Sequence, residues 1–230
     1  MFYRLSYFFF KSVCLFFILL FNINIASAWE GEREEAMKLT ANMENGKKIY
    51  QFCVSCHYET GWSDNSIINR EHAPGFLPQI AGQHKNVIIK QLADIRSGNR
   101  DNPIMYPYSL NQYLENSQAI ADVSAYIATL PTNPVNQVGN GLDLQLGKDL
   151  YRTNCKTCHG VNGQGSNKEF FPRIQGQHYN YLLKQFIWIR DGRRRNANKQ
   201  MMRQIQRFTF REMTAVIDYV SRLKPIVKKQ

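Results

Sequence analysis

Residues 78–98 read PQIAGQHKNVIIKQLADIRSG, and 94 positions later residues 172–192 read PRIQGQHYNYLLKQFIWIRDG, with 11 of 21 positions identical and no gap. Working outward, Gly46-Lys47-Lys48-Ile49-Tyr50 upstream is echoed by Gly147-Lys148-Asp149-Leu150-Tyr151. Downstream, Ile120, Val123, Tyr126, Ile127 and Leu130 correspond to Met213, Val216, Tyr219, Val220 and Leu223. The same parts in the same order twice over mean two copies of one structural unit. The downstream stretches carry apolar residues at helical spacing with a single buried stripe. Asn116 or Ser117 suits the start of the first, and Thr209 with Glu212 makes a capping box for the second. Asn86–Arg96 and Asn180–Arg190 also read as helices, each closed by a glycine, Gly98 or Gly192. Strand signals are scarce, so the fold class is all-α with two tandem domains. Residues 132–141, rich in proline, glycine and polar side chains, read as the linker between a first domain at 29–131 and a second at 142–230.

Between the echoed stretches sit the cysteines. Cys14 lies in an apolar leader, and the other four form two pairs, Cys53-Val-Ser-Cys56-His57 and Cys155-Lys-Thr-Cys158-His159. C-x-x-C-H is the attachment signature for c-type haem. Thiols one helical turn apart can add to the two vinyl groups of one porphyrin, while the adjoining imidazole ligates the iron. A zinc site would need a second Cys or His pair within about 12 to 20 residues, and each half lacks one. A thioredoxin-like dithiol would want a βαβ pattern around it, and the surroundings here are helical. The reading is two covalent haem c groups, on Cys53, Cys56 and His57 and on Cys155, Cys158 and His159.

A six-coordinate haem iron needs a second axial ligand, methionine or histidine. In the first half Met105 stands in a proline-bounded loop, Asn102-Pro-Ile-Met-Tyr-Pro, just before the terminal helix, whereas Met37 and Met43 precede the haem motif. In the second half Met201 and Met202 are adjacent, and Met201 is the first choice with Met202 as alternative; Met213 belongs to the apolar stripe. His84 and His178, in the repeated Gly-Gln-His, are rival ligands or structural residues, and His72 reads as a loop residue. The carbonyls of Pro78 and Pro172 could accept the proximal imidazole N–H. Arg96 and Arg190 suit haem propionates or a solvated face.

Residues 1–28 read as a secretory signal: Arg4 and Lys11 precede an apolar run from Val13 to Phe21, and Ala26-Ser27-Ala28 offers the cleavage site. Cleavage near Ala28 would leave 27 basic and 18 acidic residues. These are unevenly placed. Residues 29–138 hold 9 Lys/Arg and 12 Asp/Glu, and residues 139–230 hold 18 and 6. From Arg190 to Arg211 eight basic residues face only Asp191. This tract brackets the expected Met201 loop, so an acidic redox partner would be steered toward the second haem, and anionic membrane lipid is a further candidate. Nucleic acid is not expected of an exported haem protein.

With these residues in place, the chain from Glu44 to Lys224 resembles the dihaem class I c-type cytochromes of the cytochrome c4 type. The resemblance implies two cytochrome c-like domains, each wrapped around one haem, His57 paired with Met105 and His159 with Met201, and haems approaching each other across the domain interface. It further implies periplasmic electron transfer between redox proteins, with no small-molecule substrate and no catalytic residue. The rival functions are a dihaem peroxidase-like enzyme with one open haem, and a haem subunit of a membrane-bound complex that keeps the leader as anchor. Three departures concern local shape. Tyr58 stands where the family has glycine, as the second half does at Gly160; eight extra residues, among which Trp62 is counted, separate His57 from Pro78; and the step from Tyr50 to Cys53 is one residue shorter than that from Tyr151 to Cys155.

Overall fold

The computed structural model describes residues 31–63, 76–133 and 135–224. The leader and most of the eight-residue insertion lie outside the described residues. The first half runs α1 (31–38), α2 (Met43–Tyr50), α3 (Val54–His57), α4 (Lys85–Arg96), a 3₁₀ turn (Pro107–Ser109) and α5 (Ser117–Thr129). The second runs α6 (Leu144–Asn154), α7 (Lys156–His159), α8 (Tyr179–Arg190), α9 (Lys199–Ile205) and α10 (Phe210–Ser221). Among the described residues the only β pairing is an isolated bridge, Ser166 to Phe171.

Each half is organised by one close helix crossing. α2 packs on α5, and α6 on α10. At the crossings stand the repeated glycines: a Cβ on Gly46 would lie 2.3 Å from the carbonyl oxygen of Asp122, and one on Gly147 2.1 Å from that of Ala215. The next turn brings tyrosines together, Tyr50 against Tyr126 at 5.3 Å between ring centroids and Tyr151 against Tyr219 at 5.7 Å. The apolar stripes then close two separate cores. Ile49, Ile89, Ile120, Val123 and Ile127 fill the first, and Leu182, Phe186, Met213, Val216 and Val220 the second. At about 1.5–3 kcal/mol per large apolar side chain, this burial outweighs the capping terms. The caps are nonetheless those the residues announce. Asn116 accepts from the amide of Ala119, and Thr209 and Glu212 form a reciprocal box.

The two halves meet through the stretch in which they are most alike, and the contacts come in symmetric pairs. Gln83 accepts from the Arg173 amide (2.9 Å) and donates to the Arg173 carbonyl (3.0 Å). Gln177, its counterpart 94 positions on, does the same to Gln79, at 2.9 and 2.8 Å. His84 Nε2 lies 2.8 Å from the Gln164 carbonyl, and His178 Nε2 lies 3.3 Å from the Trp62 carbonyl. At the far ends of α4 and α8, Arg100 donates to Gln91 and Gln185, and Arg194 donates to the same two side chains. A pseudo-twofold axis thus relates the halves. The stretch leading into α6 is bound to the second half: Gln137 N donates to His178 Nδ1, and Gly139 and Gly141 donate to the buried Asp218 carboxylate.

Candidate haem sites

In both halves the first cysteine caps the short helical turn that follows, Cys53 before α3 and Cys155 at the joint of α6 and α7, so that C-x-x-C-H forms a single tight turn. The His57 amide donates to the Cys53 carbonyl (2.9 Å) and the His159 amide to that of Cys155 (3.0 Å). All four thiols are unpaired and half-buried. Burial pushes the Cys53 and Cys155 thiols up to about 12, each helped by its partner cysteine, so they are held as neutral thiols rather than thiolates. Among the described residues no group of three or more His, Cys, Asp or Glu is placed to hold a metal ion, which is the arrangement a zinc site would need.

The imidazoles are buried. Burial lowers the His57 pKa to about 4 and lowers that of His159 as well, in each case against the partly compensating pull of a nearby proline carbonyl, that of Pro78 or Pro172. Both rings are therefore neutral at physiological pH. His159 Nδ1 faces the Pro172 carbonyl directly at 3.2 Å. The first half differs. His57 Nδ1 lies 2.9 Å from the hydroxyl of Ser63, which in turn donates to the Pro78 carbonyl at 2.5 Å. In both sites Nδ1 is engaged, which leaves Nε2 as the nitrogen that can bond iron.

Ser63 is a residue the sequence reading passed over, because Trp62 was counted within the insertion. Measured from the proximal histidines, Tyr58, Gly61 and Ser63 stand at the offsets of Gly160, Gly163 and Gly165. All six share a left-handed backbone, with φ of 56°, 73° and 52° against 82°, 74° and 68°. The insertion therefore begins after Ser63, and Trp62 is the counterpart of Gln164. Tyr58 does not reshape the loop as expected: it adopts the glycine-like conformation, and its carbonyl accepts from Tyr50 (2.8 Å) as that of Gly160 does from Tyr151 (2.5 Å).

Met105 is half-buried in the turn before Pro107, its amide donating to the Asn102 carbonyl at 3.1 Å. Met201 is not on a loop. Asn198 caps α9 by accepting from the amides of Gln200 and Met201, and the helix-favouring run Lys199–Ile205 follows. Met201 and Met202 are both half-buried against the second core. His84 and His178 take the structural one of their two readings and face carbonyls of the opposite half, as above. Arg96 is not on a solvated face: it is buried, bound to the Ser109 and Leu114 carbonyls and to Glu32, and so clamps the chain that follows Met105 to α1. Arg190 pairs with Asp191 (2.8 Å) and points Nη1 at Met213 Sδ (3.4 Å).

A family model for cytochrome c matches residues 43–131 and again residues 144–224. The chain belongs to the cytochrome c family. Cytochrome c4 of Thiocapsa roseopersicina is 32% identical over 207 residues, 84% of this chain and 98% of that protein. A thiosulfate dehydrogenase electron acceptor of Stutzerimonas stutzeri is 30% identical over 202 residues, 80% of this chain and 88% of that protein. The crystal structure of reduced cytochrome c4 from Pseudomonas stutzeri superposes with a TM-score of 0.69 at 24% identity, over 80% of this chain and 100% of that one. This cytochrome c accordingly carries two covalently bound haem c groups, for which Cys53 with Cys56 and Cys155 with Cys158 are the attachment pairs, and it is an electron-transfer protein of the cytochrome c4 kind.

Proposed function

We propose that this cytochrome is a periplasmic electron carrier in which both irons are held by one histidine and one methionine, His57 with Met105 and His159 with Met201. The observation that supports the histidine half of this ligation is the pair of buried, neutral imidazoles whose Nδ1 atoms are already engaged, and the methionine half is supported by the half-buried placement of Met105 and Met201. When bound, the haems supply a one-electron ferrous/ferric couple, and a thioether ligand in a buried site favours the ferrous state. The chain's own residues exclude water from the iron, fix the imidazoles and present a docking face. At the domain interface the Arg194 guanidinium, lowered to about 10 by burial and by neighbouring Arg100, would suit an anionic group such as a haem propionate.

The leader at 1–28 supports export, with 29–131 and 142–230 as the haem-bearing domains and 132–141 as their linker. Arg193, Arg195, Lys199, Arg203, Arg207 and Arg211 are exposed around α9, which supports docking of an acidic redox protein, or of an anionic membrane surface, beside the second haem. A relative named for accepting electrons from thiosulfate dehydrogenase supports a dehydrogenase as the class of donor. Magnetic circular dichroism of the oxidised holoprotein tests the ligation: thioether-to-iron bands at both haems are expected. Bis-histidine spectra, or rapid stoichiometric carbon monoxide binding to one reduced haem, would replace this reading with a lower-potential carrier or a peroxidase-like enzyme.

A further inference from the structure

We infer that the Ser63 hydroxyl is the hydrogen-bond acceptor that tunes the first iron, so that the first haem is set by a side chain where the second is set by the main chain. The inference rests on His57 being the proximal ligand. With Nε2 on iron, Nδ1 must carry the proton, and it donates to Ser63 Oγ at 2.9 Å; the hydroxyl proton is committed to the Pro78 carbonyl at 2.5 Å. Each group then donates once and accepts once in one direction, imidazole to hydroxyl to carbonyl. Such a chain polarises itself and draws on the imidazole proton. An acceptor there makes the ligand more basic and favours the ferric iron.

Two features indicate that this serine is kept for its hydroxyl. Its side chain is buried in a residue 1% exposed. It also takes a left-handed backbone, φ 52°, at the place where the second half uses Gly165, φ 68°. A non-glycine residue in that region carries strain that persists only when its surroundings hold it. Glycine would relieve the strain but would remove the hydroxyl that stands between His57 and the Pro78 carbonyl.

Spectroelectrochemical titration of the holoprotein, resolving the two haems, tests the inference on Ser63→Ala, which keeps the backbone cost and removes the acceptor. At a fixed ambient potential the ferrous-to-ferric ratio of the first haem should rise about three- to tenfold, the range of one lost hydrogen bond. The second haem should not move. Equal titrations for parent and Ser63→Ala, or an equal shift at both haems, would overturn it. Should the variant fail to fold, proton NMR of the reduced parent decides: a slowly exchanging His57 Nδ1–H with a cross-peak to the Ser63 β-protons is expected, and its absence is fatal. Loss of the histidine signature at the first iron of the parent in magnetic circular dichroism would instead mark failure of the ligand assignment beneath the inference.

Discussion

Glu212 shows how one carboxylate is made to serve a helix end. Its oxygen accepts from both the amide and the hydroxyl of Thr209, at 2.8 Å each. These bonds, the amide first, hold its carboxyl below the ordinary value of 4.5. A carboxylate lowered on folding adds stability above its unfolded pKa and loses it as pH falls below that value. The gap in melting temperature between parent and Glu212→Gln should therefore be full at pH 7 and shrink as pH falls below 4.5. Thr209→Ala, which takes away the other half of the box, should cost about 1 kcal/mol in denaturant melts. Signals of this kind are readable from sequence because they are local, as the Thr209–Glu212 spacing and the C-x-x-C-H turns both are. The Ser63 relay was hidden for a related reason: its partners, His57 and Pro78, stand on either side of an insertion, and the length difference drew the boundary too early.

At the scale of helices, periodicity sufficed for α4, α5, α8 and α10, whose buried faces recur in both halves. It did not suffice for α9, a single short element without a counterpart in the first half, where the loop expectation came from analogy with Met105. The Asn198 cap followed by Lys199–Ile205 was the signal that would have found it. The helix crossings yield a sharper test. In a helix interior, replacing glycine by alanine normally gains up to about 1 kcal/mol. At Gly147 the new methyl would sit 2.1 Å from the Ala215 carbonyl oxygen, a backbone atom that cannot swing aside. Overpacking of this sort costs about 1–3 kcal/mol, so Gly147→Ala should destabilise the protein despite its better propensity. Gly46→Ala, 2.3 Å from the Asp122 carbonyl oxygen, should behave alike. Thermal denaturation that showed either variant to be more stable than the parent would refute the crossing geometry.

For the molecule as a whole, the duplication was plain in the sequence while its purpose was not. Gly-Gln-His reads only as a repeated element with a rival ligand or a structural histidine in it, yet Gln83, His84, Gln177 and His178 reach across to the other half. Nothing in one copy alone reveals that its partner is the second copy. Each glutamine makes two bonds to the opposite main chain, and at about 0.5–1.5 kcal/mol per bond Gln83→Ala or Gln177→Ala should cost about 1–3 kcal/mol. The loss should register in hydrogen exchange as earlier opening of the Gln79 and Arg173 amides, and unchanged exchange there would count against the joint.

The reciprocity of that joint bears on how such a chain could arise. A contact in which each side presents the same glutamine, histidine and arginine is self-complementary, the form of an isologous dimer. One unit standing alone would already own both faces and could dock with its twin before any gene fusion. Tethering then made the pairing permanent at no cost in new contacts. The shared face, the helix crossings and the C-x-x-C-H turns had to stay alike, and the outer surface of each copy was at liberty to drift, one toward acid and the other toward base.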